Sequence, residues 1–322
     1  MSGKELRIVF MGTPGFAVET LKALVEAEYN IVGVITAPDK PAGRGQKIQE
    51  SDVKKYAVEK GLKILQPEKL KTPEFIEELQ ELKSDLQIVV AFRMLPEVVW
   101  QMPKLGTFNL HASLLPQYRG AAPINWAVIN GETTTGVTTF LIDKEIDTGK
   151  ILLQKEIDIL ETDSAGSLHD RMMVVGAELV KETVDLLATG DFNAKPQEAL
   201  FETSKELKPA QKIFKDDCRI DWTGEIKQIY NFIRGLSPFP GAWTNLVNQE
   251  TGKKFNLKVF ETEYEVKTHH ETIGSLKTDK NSIFVAVKGG FLSLKVLQLE
   301  GKKRLKAEEL LRGYSFDNQK LE

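Results

Sequence analysis

Three polar side chains near the middle of the chain are of types that could do chemistry together. Asn109 and His111 lie in Gly106-Thr-Phe-Asn-Leu-His-Ala-Ser-Leu-Leu-Pro-Gln-Tyr-Arg-Gly-Ala-Ala-Pro-Ile124, and Asp147 lies in Ile142-Asp-Lys-Glu-Ile-Asp-Thr-Gly149. A histidine moves protons near neutral pH. An asparagine amide can donate to a developing oxyanion. An aspartate can hold an imidazole in one tautomer and stabilise its charged form. The set suits acyl transfer without a covalent enzyme intermediate. A lone histidine at a polar strand end is more often a satisfied structural group, so the surrounding sequence has to decide.

The elements that must position these groups follow from the pattern. Phe108, Leu110 and Ala112 alternate with Asn109, His111 and Ser113, which predicts a strand with one apolar and one polar face. Two strong polar groups on one face suit a strand tip in a crevice, where open α/β sheets bind ligands. Upstream, Arg7–Thr13 is a buried strand followed by Gly12-Thr-Pro-Gly15 and a helix over Phe16–Tyr29. This opening is Rossmann-like, but it lacks the third glycine of the dinucleotide fingerprint and the lysine of a P-loop. The glycines are expected to let the turn lie close to a ligand. Strands are predicted at Ile31–Ala37, Leu62–Leu65 and Leu86–Ala91, and helices at Ser51–Lys60 and Pro73–Lys83. An irregular exposed loop is expected over Pro38–Lys47. A helix over Ala121–Asn130 is expected to bury Trp126. Strands over Gly136–Ile142 and Lys150–Ile159 flank the loop bearing Asp147, and a helix follows over Ser167–Ala188.

The chain divides as 1–190, a linker over 191–208 where apolar residues thin out, and 209–322. In the last part Ile226, Ile229, Ile233 and Leu236 form one helical stripe. Five short strands follow between 244 and 299, suggesting a small OB-like β-barrel. The fold class is α/β, with a Rossmann-like domain followed by this barrel.

The totals exclude some classes. The 322 residues carry net charge −3, so the chain is no bulk polycation. Thr251–Glu322 holds 14 Lys/Arg against 10 Asp/Glu, net +4, which leaves −7 for the rest. A mildly basic end on an acidic body fits a polyanion held at one face. Cys218 stands alone, so neither an internal disulfide nor a cysteine metal site is expected. His269-His270 reads as a solvated loop. With no apolar leader and no run of about 18 apolar residues, a soluble, cytoplasmic protein with no membrane association is expected.

Asn109-Leu-His111, Ser113-Leu-Leu-Pro116, Arg119-Gly-Ala-Ala-Pro-Ile124 and Asp147-Thr-Gly149 together resemble the signature of the folate-dependent formyltransferases. With Pro38-Asp-Lys-Pro-Ala-Gly-Arg-Gly45 upstream and the second domain downstream, the likeness runs from about Arg7 to about Gly313. It is greatest to the branch that formylates methionine carried on charged initiator tRNA. The resemblance implies a formyltransferase domain, 10-formyltetrahydrofolate as donor, no metal and a monomer. It implies catalytic roles for Asn109, His111 and Asp147, and folate contacts from Ser113, Leu114, Leu115 and Pro116. It makes Arg44 the first candidate for contact with the tRNA acceptor stem. Lys40 and Lys47 in the same loop, and Lys302, Lys303 and Arg304 after the barrel strands, are the other cations placed for phosphates. Phe92-Arg-Met-Leu-Pro96 departs from the family text in the segment that lines the pterin pocket. It is one residue shorter, with Arg93 where a small residue is usual.

Two rival readings use the same residues. One is formylation of a small amine, such as glycinamide ribonucleotide or an amino sugar; the length argues against the first, whose family is a single domain and would need no basic barrel. The other is a non-catalytic tRNA-binding protein, which would have no use for the Asn-His-Asp set.

Overall fold

The computed structural model describes residues 2–42, 47–200 and 206–322. Up to residue 190 the strands are β1 (Ile8–Gly12), β2 (Ile31–Ile35), β3 (Lys40–Ala42), β4 (Lys47–Gln49), β5 (Ile64–Leu65), β6 (Leu86–Val90), β7 (Thr107–His111), β8 (Thr134–Leu141) and β9 (Ile151–Asp158). The helices are α1 (Gly15–Glu26), α2 (Asp52–Glu59), α3 (Pro73–Glu81), α4 (Glu97–Trp100), α5 (Pro123–Ile129) and α6 (Ala165–Thr189).

The first sheet has the order β5-β2-β1-β6-β7-β8-β9. Strands β5 to β7 are parallel; β8 and β9 are added antiparallel at the far edge. β1 and β6 are apolar at almost every position and fully buried, as central parallel strands covered on both faces must be. The strand order reverses between β1 and β6, and in such sheets the crevice lies beyond the carboxyl ends of the strands at that reversal. β7 is the next strand along, and its last residue is His111. Helix α6 covers the opposite face of β7: a Cβ on Gly176 would lie 2.9 Å from Leu110 Cδ2. The Leu110 face is therefore core, and the polar alternates Asn109 and His111 take the other side.

Gly12 is required for packing. A Cβ there would lie 2.5 Å from the Ala17 methyl and 3.1 Å from the Val90 carbonyl, so the glycine lets α1 and β6 close on the end of β1. The stretch expected to be an irregular loop holds a short hairpin, β3 paired antiparallel with β4. Its base is tied down by Asp39, which accepts hydrogen bonds from Lys54 and, at 2.8 Å, from Gln66. Trp126 is half-buried rather than core: its indole N–H donates to the Gln211 carbonyl at 2.8 Å.

The later elements are α7 (Ile226–Gly235), β10 (Ala242–Asn248), β11 (Lys254–Val266), β12 (Leu276–Thr278), β13 (Ile283–Val287), β14 (Gly290–Leu299), β15 (Leu305–Lys306), α8 (Ala307–Leu311) and β16 (Gln319–Leu321). They form a nearly closed antiparallel barrel in the order β12-β13-β14-β11-β10-β16, with β15 on β14. The two strands at the ends of that order, β12 and β16, have three residues each, and edges that short offer little template for further pairing. The α7 stripe of Ile226, Ile229, Ile233 and Leu236 is buried in the barrel core with Leu246, Leu257, Val285 and Leu297. His269 is half-buried: its Nε2 lies 2.8 Å from the Val287 carbonyl, and its ring packs on Phe291 at 4.6 Å, while His270 is exposed.

Two compact units emerge. One comprises 1–120, 134–158 and 169–209; the other comprises 121–133, 159–168 and 210–322. They interleave along the chain, with the segment that carries α5 in the second unit. Asn125 shows why: its amide donates to the Gly235 carbonyl of α7 at 2.8 Å, so α5 packs with the barrel's helix.

Candidate functional site

β7 is paired with β6 as far as Leu110 and with β8 to its end, with Asn109 opposite Val89 and Phe140, and His111 opposite Thr138. This fixes the backbone of both residues and leaves their side chains to the crevice face. His111 is 6% exposed, with its ring edge-on to Phe140 at 6.5 Å. Its Nε2 lies 2.9 Å from the Tyr118 carbonyl. A carbonyl can only accept, so Nε2 carries a proton, and Nδ1 is the nitrogen left to gain or lose one. Nδ1 faces Asp147 Oδ2 at 3.9 Å. That is ion-pair range but longer than a hydrogen bond. The carboxylate's close partner is instead the Gly120 N–H, at 3.0 Å. The structure thus brings His111 and Asp147 together as neighbours. The Asn109 amide, half-buried two residues before His111, has no hydrogen-bond partner among the described residues, so its N–H groups are available.

The turn after β7 is held from within. Ser113 is fully buried, and its hydroxyl donates to the Gln117 carbonyl at 2.6 Å. Thr138 donates to the Ser113 carbonyl at 2.6 Å and accepts from the Leu115 N–H at 3.2 Å. The Leu115–Pro116 peptide is cis. Leu115 packs with Phe140 and Ile151. The side chains of Ser113 and Leu115 are therefore committed to the protein interior. What this segment offers a ligand is the shape of its turn, with half-buried Leu114 as the accessible side chain.

Two groups in this site carry no sequence signal of their own. Tyr118 sits at φ 60°, a left-handed conformation uncommon outside glycine, and so turns its carbonyl toward His111. Gln197, in the stretch read as a linker, is fully buried. Its Oε1 accepts from Arg119 Nε and Nη2 at 3.0 and 2.6 Å, and its Nε2 donates to the Asp147 and Gly149 carbonyls at 2.9 and 2.8 Å. The linker is thus partly built into the first unit.

The cations sit apart from this cluster in the sequence. Arg44 lies outside the described residues; Lys40 is exposed on β3, and Lys47 begins β4. Lys302, Lys303 and Arg304 are all exposed. Arg304 also serves its own fold, with its guanidinium carbon 3.5 Å from the Phe260 ring centroid. Arg93, the odd residue after β6, has a structural role: its guanidinium donates to the carbonyls of Pro67 and of Glu68, the latter at 2.7 Å. It staples the exit of β6 to the segment after β5. Among the described residues no cluster of His, Cys, Asp and Glu could hold a metal ion, and no helix is long and apolar enough to cross a membrane.

Comparison with known proteins fits this geometry. Residues 6–184 match the family described as formyl transferase, and residues 212–315 match its C-terminal domain. The chain belongs to the formyltransferase family. Within that family it is 60% identical over 316 residues to the methionyl-tRNA formyltransferase of Parabacteroides distasonis, covering 98% of this chain and 97% of that protein. It is 55% identical over 314 residues to the protein of the same name from Flavobacterium psychrophilum, covering 97% of this chain and 98% of that one. Among solved structures, HypX from Aquifex aeolicus in complex with tetrahydrofolic acid superposes with a TM-score of 0.64 at 20% identity, covering 95% of this chain and 47% of that one. An N-formyltransferase from Helicobacter canadensis, solved with folinic acid and dTDP-3-aminofucose, gives 0.63 at 21% identity, covering 90% and 98%. At such identities these structures establish the shared fold.

Proposed function

We propose that the chain transfers the formyl group of 10-formyltetrahydrofolate to the α-amino group of methionine esterified to initiator tRNA, giving N-formylmethionyl-tRNA for translation initiation. The observation that carries this reading is His111 held between the Tyr118 carbonyl and the Asp147 carboxylate at the end of β7. The full-length likeness to methionyl-tRNA formyltransferases favours a charged tRNA over a small amine as acceptor. An intact Asn-His-Asp set favours an enzyme over a pure binding protein.

In this reading the neutral amine attacks the formyl carbon. An α-amino group titrates near about 8, so a useful fraction is free at neutral pH. Asn109 donates to the oxygen as negative charge develops there. His111, fixed through Nε2, uses Nδ1 to take up the proton that the amine sheds as the new C–N bond forms. It returns a proton to the folate nitrogen as the old C–N bond breaks, so that tetrahydrofolate leaves neutral. Asp147 compensates the charge His111 carries between those events. These steps call on no metal. The turn of Ser113, Leu114, Leu115 and Pro116 forms a wall for the folate. Arg44, Lys40, Lys47, Lys302, Lys303 and Arg304 meet tRNA phosphates. The enzyme works as a cytoplasmic monomer.

Replacing His111 with alanine tests the assignment. Turnover should fall by about two to four powers of ten while affinity for charged tRNA stays near that of the wild type. A normal single-turnover rate in His111→Ala would reject the role.

A further inference from the structure

We infer that Gln197 is a positioning residue for formyl transfer, the pin that holds the His111 loop and the Asp147 loop in one fixed relation; this rests on the functional reading above. Its amide is used to capacity. The oxygen accepts both hydrogen bonds from Arg119, and the two N–H groups go to two separate carbonyls. A glutamate could receive Arg119 but could not donate, and an asparagine is one methylene too short to span the same groups.

The two loops it joins are those that hold the reacting side chains. Arg119 lies between Tyr118, whose carbonyl fixes His111 Nε2, and Gly120, whose N–H holds Asp147 Oδ2. On the other side Gln197 grips the carbonyl of Asp147 itself. Asp147 sits at φ 57°, a left-handed conformation uncommon outside glycine that surrounding contacts help to hold. Gly149 leaves the loop no slack: a Cβ there would lie 1.7 Å from the Leu141 carbonyl. Gln197 is itself anchored two residues earlier, where Lys195 and Ile151 exchange backbone hydrogen bonds of 2.9 and 2.8 Å at the start of β9. The 3.9 Å separation of Nδ1 and Oδ2 is thus set by a residue 50 positions beyond the aspartate.

The test compares full-length wild type, His111→Ala, Gln197→Met and Gln197→Glu. Met keeps the length and removes every hydrogen bond; Glu keeps the Arg119 contact and removes only the donation to the Asp147 loop. The readings are the single-turnover rate of formyl transfer at saturating charged initiator tRNA, corrected for folded fraction by urea unfolding, and the Kd for that tRNA. Displacing a reacting group by about 1 Å can cost on the order of 100-fold. Both Gln197 variants should therefore lose on the order of 100-fold in rate per folded molecule with Kd little changed. A loss below about threefold per folded molecule in Gln197→Glu overturns the inference. Failure of both variants to fold also overturns it, since it would place Gln197 among ordinary core residues. A wild type that transfers no formyl group, or a His111→Ala variant as fast as wild type, would instead overturn the functional reading.

Discussion

Replacing Asp147 with asparagine separates charge from shape at the site. Asparagine keeps an oxygen to accept from the Gly120 N–H, now 3.0 Å from Oδ2, so the loop should hold its place. What disappears is a negative charge 3.9 Å from His111 Nδ1. At that distance a unit pair is worth about 1 kcal/mol in bulk water and about 4 kcal/mol at an effective dielectric near 20. Side-chain exposures of 7% for His111 and 15% for Asp147 put the pair toward the sheltered end of that range. At about 1.4 kcal/mol per factor of ten, those limits correspond to losses of about fivefold and several hundredfold, and the expected loss, with His111 charged at the rate-limiting point, lies in the upper part of that range. The assay is single-turnover transfer to charged initiator tRNA with donor in excess, alongside urea unfolding to verify the fold. A variant within about twofold of wild type would refute the reasoning, because the charge would then be idle in the transition state.

Other outcomes follow from particular contacts. Arg93→Ala removes two charge-assisted hydrogen bonds to the Pro67 and Glu68 carbonyls at an exposed position; stability should fall by about 1 kcal/mol, read as a lower urea midpoint. Arg44→Ala should weaken productive use of tRNA and reduce the slope of log affinity against log salt by about one unit. Hydrogen bonds from Lys54 and Gln66 hold the Asp39 carboxyl below its usual range. Its folded-state value is depressed, so its contribution is present above the unfolded carboxylate value and is lost as pH falls through the folded one. The stability gap between wild type and Asp39→Asn should therefore be open at neutral pH and close below about pH 4.

Much of the framework was legible because it depends on local pattern. The stripe from Ile226 to Leu236 buries one face, as its period predicts, and the alternation around His111 puts Phe108 and Leu110 in the core on one side, although His111 and Ser113 on the polar side are buried as well. What escaped depends on groups that sequence does not display. The Tyr118 carbonyl is backbone, present at every residue, and only its φ of 60° gives it a role. Gln197 lies in a polar stretch that reads as a linker; its burial comes from the pairing of Lys195 with Ile151, a contact between distant segments. The short strands β15 and β16 lack enough residues to show a period, and β3 contains Pro41, which reads as loop but is tolerated on an edge strand. The role of Arg93 had no local signal because its partners are carbonyls 25 and 26 positions earlier.

The central claim is formyl transfer to the amino group of a charged initiator tRNA. Its most direct test is to incubate the protein with 10-formyltetrahydrofolate and either methionyl initiator or methionyl elongator tRNA, then weigh the aminoacyl ends. The initiator methionine should gain a formyl group's mass while the elongator methionine is left almost unchanged. No gain on either tRNA, or equal gain on both, would contradict the account.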